Sequence, residues 1–158
     1  FDKELYHDYL DTYKESWFTD KIKFYEENPY QYLINLAKTA QKDGVIKGIL
    51  VHQGETNTND TKWPDYVKSV YENMLADLGL DADSVPLLAG ELVHSDQGGT
   101  CASMNAIIKT LPNTIPTAHV IASQGCEALP DNVHFNAAGA RLLGIRYATK
   151  MLELLEDE

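Results

Sequence analysis

The 158 residues suit one domain, and 44% apolar with 23% charged residues reads as an ordinary soluble globular chain. A formal net charge of −11 argues against nucleic acid or an anionic membrane as partner, because phosphate binding needs clustered Lys and Arg. That charge leaves neutral substrates such as sugars, or cationic ones, open, and no apolar stretch approaches the roughly 20 residues that span a bilayer.

Only the tail from Glu153 to Glu158 is dense in carboxylates, as expected of a solvated helix end. The chain begins at Phe1 rather than Met and shows no signal peptide, so its start is expected to have been cut away. Two cysteines, Cys101 and Cys126, are too few for a disulfide framework and lack metal-ligand spacing. They imply one optional disulfide or two buried thiols.

In chain order, residues 1–28 are rich in Tyr, Trp and charge without a clean period. They read as a helix-containing segment packed on something else, or as an aromatic platform for sugar rings. Asn28-Pro29 marks a helix start, with Leu33, Leu36, Ala37 and Ala40 on one face and Gly44 at its end. Val45 to Val51 is a short apolar run expected of a buried parallel strand, and it leads into the polar loop 52–60.

A second helix is expected from Lys62 to Leu78, with Val67, Val70, Tyr71, Met74 and Leu78 on its core face and Gly79 closing it. Val85 to Glu91 is the next strand, followed by a loop through Gly98-Gly99. Thr100 to Leu111 reads as a helix, His119 to Ser123 as a third strand, and Asn136 to Leu155 as the closing helix. This α-β-α-β-α-β-α order predicts an α/β fold, a doubly wound sandwich on a parallel sheet. Sites in such sheets form at the carboxyl ends of strands near a switch in strand order, where the loops carrying Glu55 and His134 fall. Three strands is few for such a sheet, which suggests an incomplete domain.

Two loops could carry chemistry. Asp131 lies three residues before His134 at the mouth of the last helix; it could accept the ring Nδ1–H and leave Nε2 to take a proton, or simply cap a turn after Pro130. In His52-Gln53-Gly54-Glu55, Gly54 permits an unusual backbone conformation and Gln53 could offer its amide to an oxyanion. Glu55 could orient His134 or hold a substrate hydroxyl, or merely serve the next helix start.

Metal binding fits poorly. His52 and Glu55 lie in a loop rather than on a helix, and Asn57, Asn59 and Asp60 lack the glycine and terminal glutamate of a calcium loop. His94, Ser95 and Asp96 are sequence neighbours, which rarely have triad geometry.

With HQGE after a strand and DNVHFNAAGARLLGIRYA opening the last helix, the chain from about Asn28 to Leu155 resembles carbohydrate esterase family 6, the acetylxylan esterases. These are relatives of the sialic-acid O-acetylesterase domain in the SGNH hydrolase superfamily. The resemblance implies a three-layer α/β/α flavodoxin-like fold and serine-based removal of O-acetyl groups from plant polysaccharide such as acetylxylan, with no cofactor. It further implies a secreted bacterial protein that acts on acetylated polysaccharide or oligosaccharide. His134 matches the general base, Gln53 and Gly54 the oxyanion and substrate loop, and Asp131 and Glu55 compete for the acidic triad role.

The departure from the family is its nucleophile. The family carries it in a Gly-Gln-Ser-Asn or Gly-Asp-Ser type loop after its first strand, and no such block occurs here. Ser16, Ser69, Ser84, Ser95, Ser103 and Ser123 all stand in other contexts, although Ser123-Gln124-Gly125 superficially suggests a nucleophile turn. The chain thus resembles the C-terminal part of such an enzyme, with the serine expected from a missing N-terminal segment or a separate chain. The alternative is a non-catalytic carbohydrate-binding or structural α/β module.

Overall fold

The computed structural model describes residues 16–156, so the part of the aromatic segment before Ser16 lies outside the described residues. The described residues form two compact units, one from residues 16–46 and 69–80, the other from residues 47–68 and 81–156.

In the first unit, α1 spans Ser16–Phe24 and α2 spans Pro29–Ala40. Asn28 caps α2 as expected: its Oδ1 accepts from Gln31 N at 3.0 Å, and Pro29 opens the helix. The predicted face is rotated, however. Tyr30 and Ile34 are buried, whereas Leu33 and Leu36 are exposed. The Tyr30 hydroxyl donates to Asp77 Oδ2 at 2.7 Å, so the polar end of an aromatic ring selects the inward stripe over two leucines. Phe24 and Tyr25 meet edge to face with centroids 5.1 Å apart, and Tyr25 does the same with Tyr32 at 5.5 Å.

The helix α3, Trp63–Leu78, buries Tyr71, Met74 and Leu75, while Val67, Val70 and Leu78 are only partly covered. It ends at Gly79, whose φ of 63° is the left-handed conformation that glycine adopts at low cost.

In the second unit, β1 (Ile49–Val51), β2 (Leu87–Gly90) and β3 (Ala118–Ile121) form a parallel sheet in the order β1-β2-β3. This is the expected α/β class. β2 is buried along its whole length, as a central parallel strand should be. β1 is not: the run from Val45 narrows to three residues, Leu50 is 60% exposed and Val45 lies outside the strand. Ile49 N donates to Pro86 O at 3.0 Å, so Ile49 and Val51 face β2 and the peptide groups of Leu50 face the other edge. The order 1-2-3 also contains no reversal, so the expected switch point is absent from the described strands.

The helix expected over 100–111 is broken into α4 (Met104–Ile108) and α5 (Leu111–Thr114). Pro112 lacks an N–H and its ring clashes with the preceding turn, so a fresh short helix starts there. Met104, Ile108, Leu111 and Ile115 nevertheless bury one stripe across both pieces.

The closing helix α6 runs Ala137–Glu156. Asn136 caps it by accepting from Gly139 N at 2.8 Å. Leu143 and Tyr147 of α6 join Leu88, Ile121 and Cys126 in a buried cluster flanked by Phe135, Met151 and Leu154. Gly139 sits where a Cβ would lie 2.2 Å from Glu127 O, so only glycine lets α6 approach the preceding loop this closely.

Candidate active site

The loops that leave β1, β2 and β3 all lie at the carboxyl end of the sheet, and each brings polar groups there. The β3 exit carries the histidine. Its loop doubles back through an antiparallel bridge between Ala128 and Phe135, with Leu129 N donating to His134 O at 2.8 Å. Asn132 takes φ 57° at the turn, a conformation asparagine tolerates better than most residues.

Asp131 serves this loop with both oxygens. Oδ1 accepts from Val133 N at 2.9 Å and His134 N at 3.0 Å, while Oδ2 lies 2.8 Å from His134 Nδ1. The two readings of Asp131, turn cap and histidine partner, are therefore one arrangement. The backbone N–H of His134, the histidine ring and the Val133 N–H hold the Asp131 carboxyl down at about 2. In return the hydrogen bond and charge of Asp131 raise His134 above its usual range. An ionised carboxylate only accepts, so Nδ1 carries the proton and the lone pair of the neutral ring is on Nε2. The pair is open to water, with the His134 side chain 70% exposed.

The β1 exit approaches the same loop. The rings of His52 and Phe135 lie 5.6 Å apart, tilted by 54°. Burial lowers the His52 pKa, partly offset by Glu55, whose Oε1 is 3.9 Å from His52 Nε2. Glu55 makes no hydrogen bond to His134 but adds a smaller upward push to its pKa. Of the two competing acids, Asp131 is the one in contact with the ring.

Gly54 has φ 153°, and a Cβ there would press on Met104 and Leu92. Gln53 is an exposed residue whose amide is engaged on both sides: its Oε1 accepts from Trp63 Nε1 at 2.6 Å, and its Nε2 donates to Asn57 Oδ1 at 2.9 Å.

The β2 exit holds residues that periodicity did not single out. Glu91 is 1% exposed; its Oε2 accepts from Ser123 N at 2.9 Å, and Lys109 Nζ lies 3.0 Å from Oε1. Asn105 is buried and pairs twice with Leu92, accepting from its N at 2.8 Å and donating to its O at 3.1 Å. Asp96 accepts from Gly125 N at 3.0 Å, and Thr100 N donates to Asn132 O at 3.0 Å. The β2 exit is thus a frame under the histidine loop. In sequence Glu91 only closes the run VPLLAGE; its burial and its partners Ser123 and Lys109 come from the fold.

Ser123 is fully buried and donates to Leu92 O at 2.6 Å, which occupies it structurally. Among the described residues no serine hydroxyl bonds His134. Cys101 is a half-exposed free thiol, its Sγ 4.0 Å from Glu55 O, and Cys126 is a buried free thiol, so neither a disulfide nor two buried thiols results. One cavity lies instead at the amino ends of the strands, lined by Asp83, Pro86, Thr117 and His119 among others.

A histidine with its proton fixed on Nδ1, an adjoining amide-bearing loop and a second carboxylate nearby are groups chemically able to move a proton and offer a hydrogen bond at this end of the sheet. Residues 12–153 match the family model described as carbohydrate esterase, sialic acid-specific acetylesterase. With nearly the whole chain matched, the protein belongs to this family of carbohydrate esterases.

Proposed function

We propose that this chain supplies the histidine and oxyanion half of a serine acetylesterase that removes O-acetyl groups from plant polysaccharide such as acetylxylan. The observation that carries this reading is the 2.8 Å contact of Asp131 Oδ2 with His134 Nδ1, which leaves Nε2 free to take a proton. A serine Oγ attacks the acetyl carbonyl while His134 Nε2 takes its proton. The tetrahedral oxyanion then collapses, and the C–O bond to the sugar breaks as His134 returns the proton to the sugar oxygen. Water attacks the acetyl-serine by the same route, releasing acetate and restoring the hydroxyl. Gln53 donates to the oxyanion, and Asp131 steadies the imidazolium.

The nucleophile in this proposal comes from a segment outside the 158 residues. The edge of β1 that pairs with no strand among the described residues, with the Leu50 peptide groups facing outward, suits an added parallel strand. The proposal includes secretion, because a plant polymer is met outside the cell.

The test compares hydrolysis of p-nitrophenyl acetate, acetylated xylan and O-acetylated sialic acid by the 158-residue chain and by the full product of its gene. We expect hydrolysis only by the full product, with acetylated xylan the better polymer substrate and His134→Ala abolishing it. Activity of the 158-residue chain that disappears on His134→Ala would place the nucleophile within it and overturn the proposal. The exposure of the Asp131–His134 pair supports a second reading, in which the loops bind sugar hydroxyls without cleavage. Sugar binding by a full product that hydrolyses no ester would favour that one.

A further inference from the structure

The loop after β1 is closed by a ring of side chains whose hydrogen bonds can run in only one direction. An indole N–H is a donor and nothing else, so Trp63 Nε1 must face an oxygen of Gln53, at 2.6 Å. The Gln53 nitrogen then points the other way and donates to Asn57 Oδ1 at 2.9 Å. That in turn directs the Asn57 nitrogen to Asp60 Oδ2, at a longer 3.5 Å. Asp60 is an acceptor-only end, and its Oδ1 takes the N–H of Lys62 at 2.9 Å. Trp63 N donates to Asp60 O at 3.1 Å, which closes the ring through the backbone.

Amide nitrogen and oxygen are nearly isosteric, so an isolated glutamine can present either atom to a ligand at similar cost. Here the two ends of the ring remove that freedom. A flipped Gln53 would set its NH2 against the indole N–H and its oxygen against Asn57 Oδ1, losing both bonds and placing like poles together. Trp63 is 2% exposed and sits at the first turn of α3, so the donor that sets the direction is itself held by packing. One hydrogen of Gln53 Nε2 is left without a protein partner among the described residues, on an exposed residue at the carboxyl end of β1.

We propose that Trp63 is a positioning residue that fixes the Gln53 amide with its N–H toward the reacting acyl oxygen. The inference rests on the esterase reading above and adds to it the group that makes Gln53 a one-way donor. A donor aimed in advance stabilises an oxyanion without reorganising during the reaction, which is where such donors gain their effect. The ring also explains why a tryptophan ten residues away belongs to the chemistry of the HQGE loop: the start of α3 is the far wall of that loop.

Two measurements test this separately. In the 158-residue chain, NMR should show the Trp63 indole proton downfield and slow to exchange, and the two Gln53 side-chain amide protons well resolved from each other. Trp63→Phe should collapse the Gln53 pair toward free-amide values. Asp60→Asn, which keeps most of the packing but replaces the acceptor-only end, should narrow it in part.

In the full gene product, Trp63→Phe should lower kcat about tenfold with KM within about twofold. Asp60→Asn should give a smaller fall of the same kind. Unchanged Gln53 resonances in Trp63→Phe, or a loss confined to KM, would overturn the proposal. A full product whose turnover is indifferent to His134→Ala would instead overturn the esterase reading, leaving the ring to be judged by the NMR measurement alone.

Discussion

Asn105 offers the sharpest test of the frame beneath the histidine loop. Its side chain replaces a missing strand neighbour for Leu92, taking the Leu92 N–H at 2.8 Å and giving an N–H to Leu92 O at 3.1 Å, with Asn105 itself 4% exposed. Asn105→Ala removes both bonds. The Leu92 carbonyl keeps a partner in Ser123 Oγ, whereas the Leu92 N–H loses the one shown for it.

Two buried bonds contribute about 1 kcal/mol each, and an unsatisfied buried donor adds about 1 kcal/mol at the low end of its range, so a loss of at least about 3 kcal/mol is expected. At about 2–4 °C per kcal/mol for a chain of this size, the melting temperature should fall by about 6–12 °C. Thermal unfolding measures the total, and hydrogen exchange at Leu92 localises it. Asn105→Asp should be worse at neutral pH, because it keeps the acceptor but sets a second carboxylate oxygen against the Leu92 carbonyl. That carboxyl would be buried and its pKa raised, so its stability penalty should shrink as pH falls. A melting shift under about 2 °C with unchanged Leu92 exchange would refute the reasoning, since Leu92 would then have found another partner.

His134 is held above its usual pKa of 6.5 by Asp131, so the neutral base should be gained as pH rises, and kcat/KM of the full product should climb through that raised value. Asp131→Asn should bring the His134 titration, followed by its ring proton in NMR, back down; a titration that stays put would show that Asp131 is not the cause. Gly139→Ala gains about 1 kcal/mol of helix propensity but drives a methyl to 2.2 Å from Glu127 O, and the clash should win by about 1–2 kcal/mol in thermal unfolding. Leu50→Lys should change the stability of the 158-residue chain by less than about 0.5 kcal/mol, given its 60% exposure, yet impair the full product if a strand joins that edge.

The parts of the molecule read from local rules were legible in sequence. Asn28 with Pro29 starts α2 and Asn136 starts α6, because a cap depends on residues within one turn. Asp131 and His134 meet for the same reason: their contact is local and needs no tertiary information. The inward face of α2 was misjudged because hydropathy favours Leu33 and Leu36, while the hydrogen bond of Tyr30 to Asp77, 47 residues away, favours another stripe. The run from Val45 to Val51 read as buried because its composition cannot reveal that β1 lies at a sheet edge. Trp63 and Glu91 escaped notice for a different reason. Each is unremarkable in its own segment and acquires a role only through partners brought by folding, Gln53 for one and Ser123 for the other.

The two free cysteines give this protein a reporter at no cost in mutation. Burial raises the Cys126 thiol pKa, and that side chain is fully covered, so an alkylating probe should meet it slowly. Cys101 is half exposed, and its sulfur lies beside the Glu55 carbonyl. A fluorophore attached there would sit against the HQGE loop and register any movement of Glu55 when a ligand arrives. Selective labelling of the native chain, without removing either cysteine, would therefore give binding curves for candidate sugars independently of any ester hydrolysis.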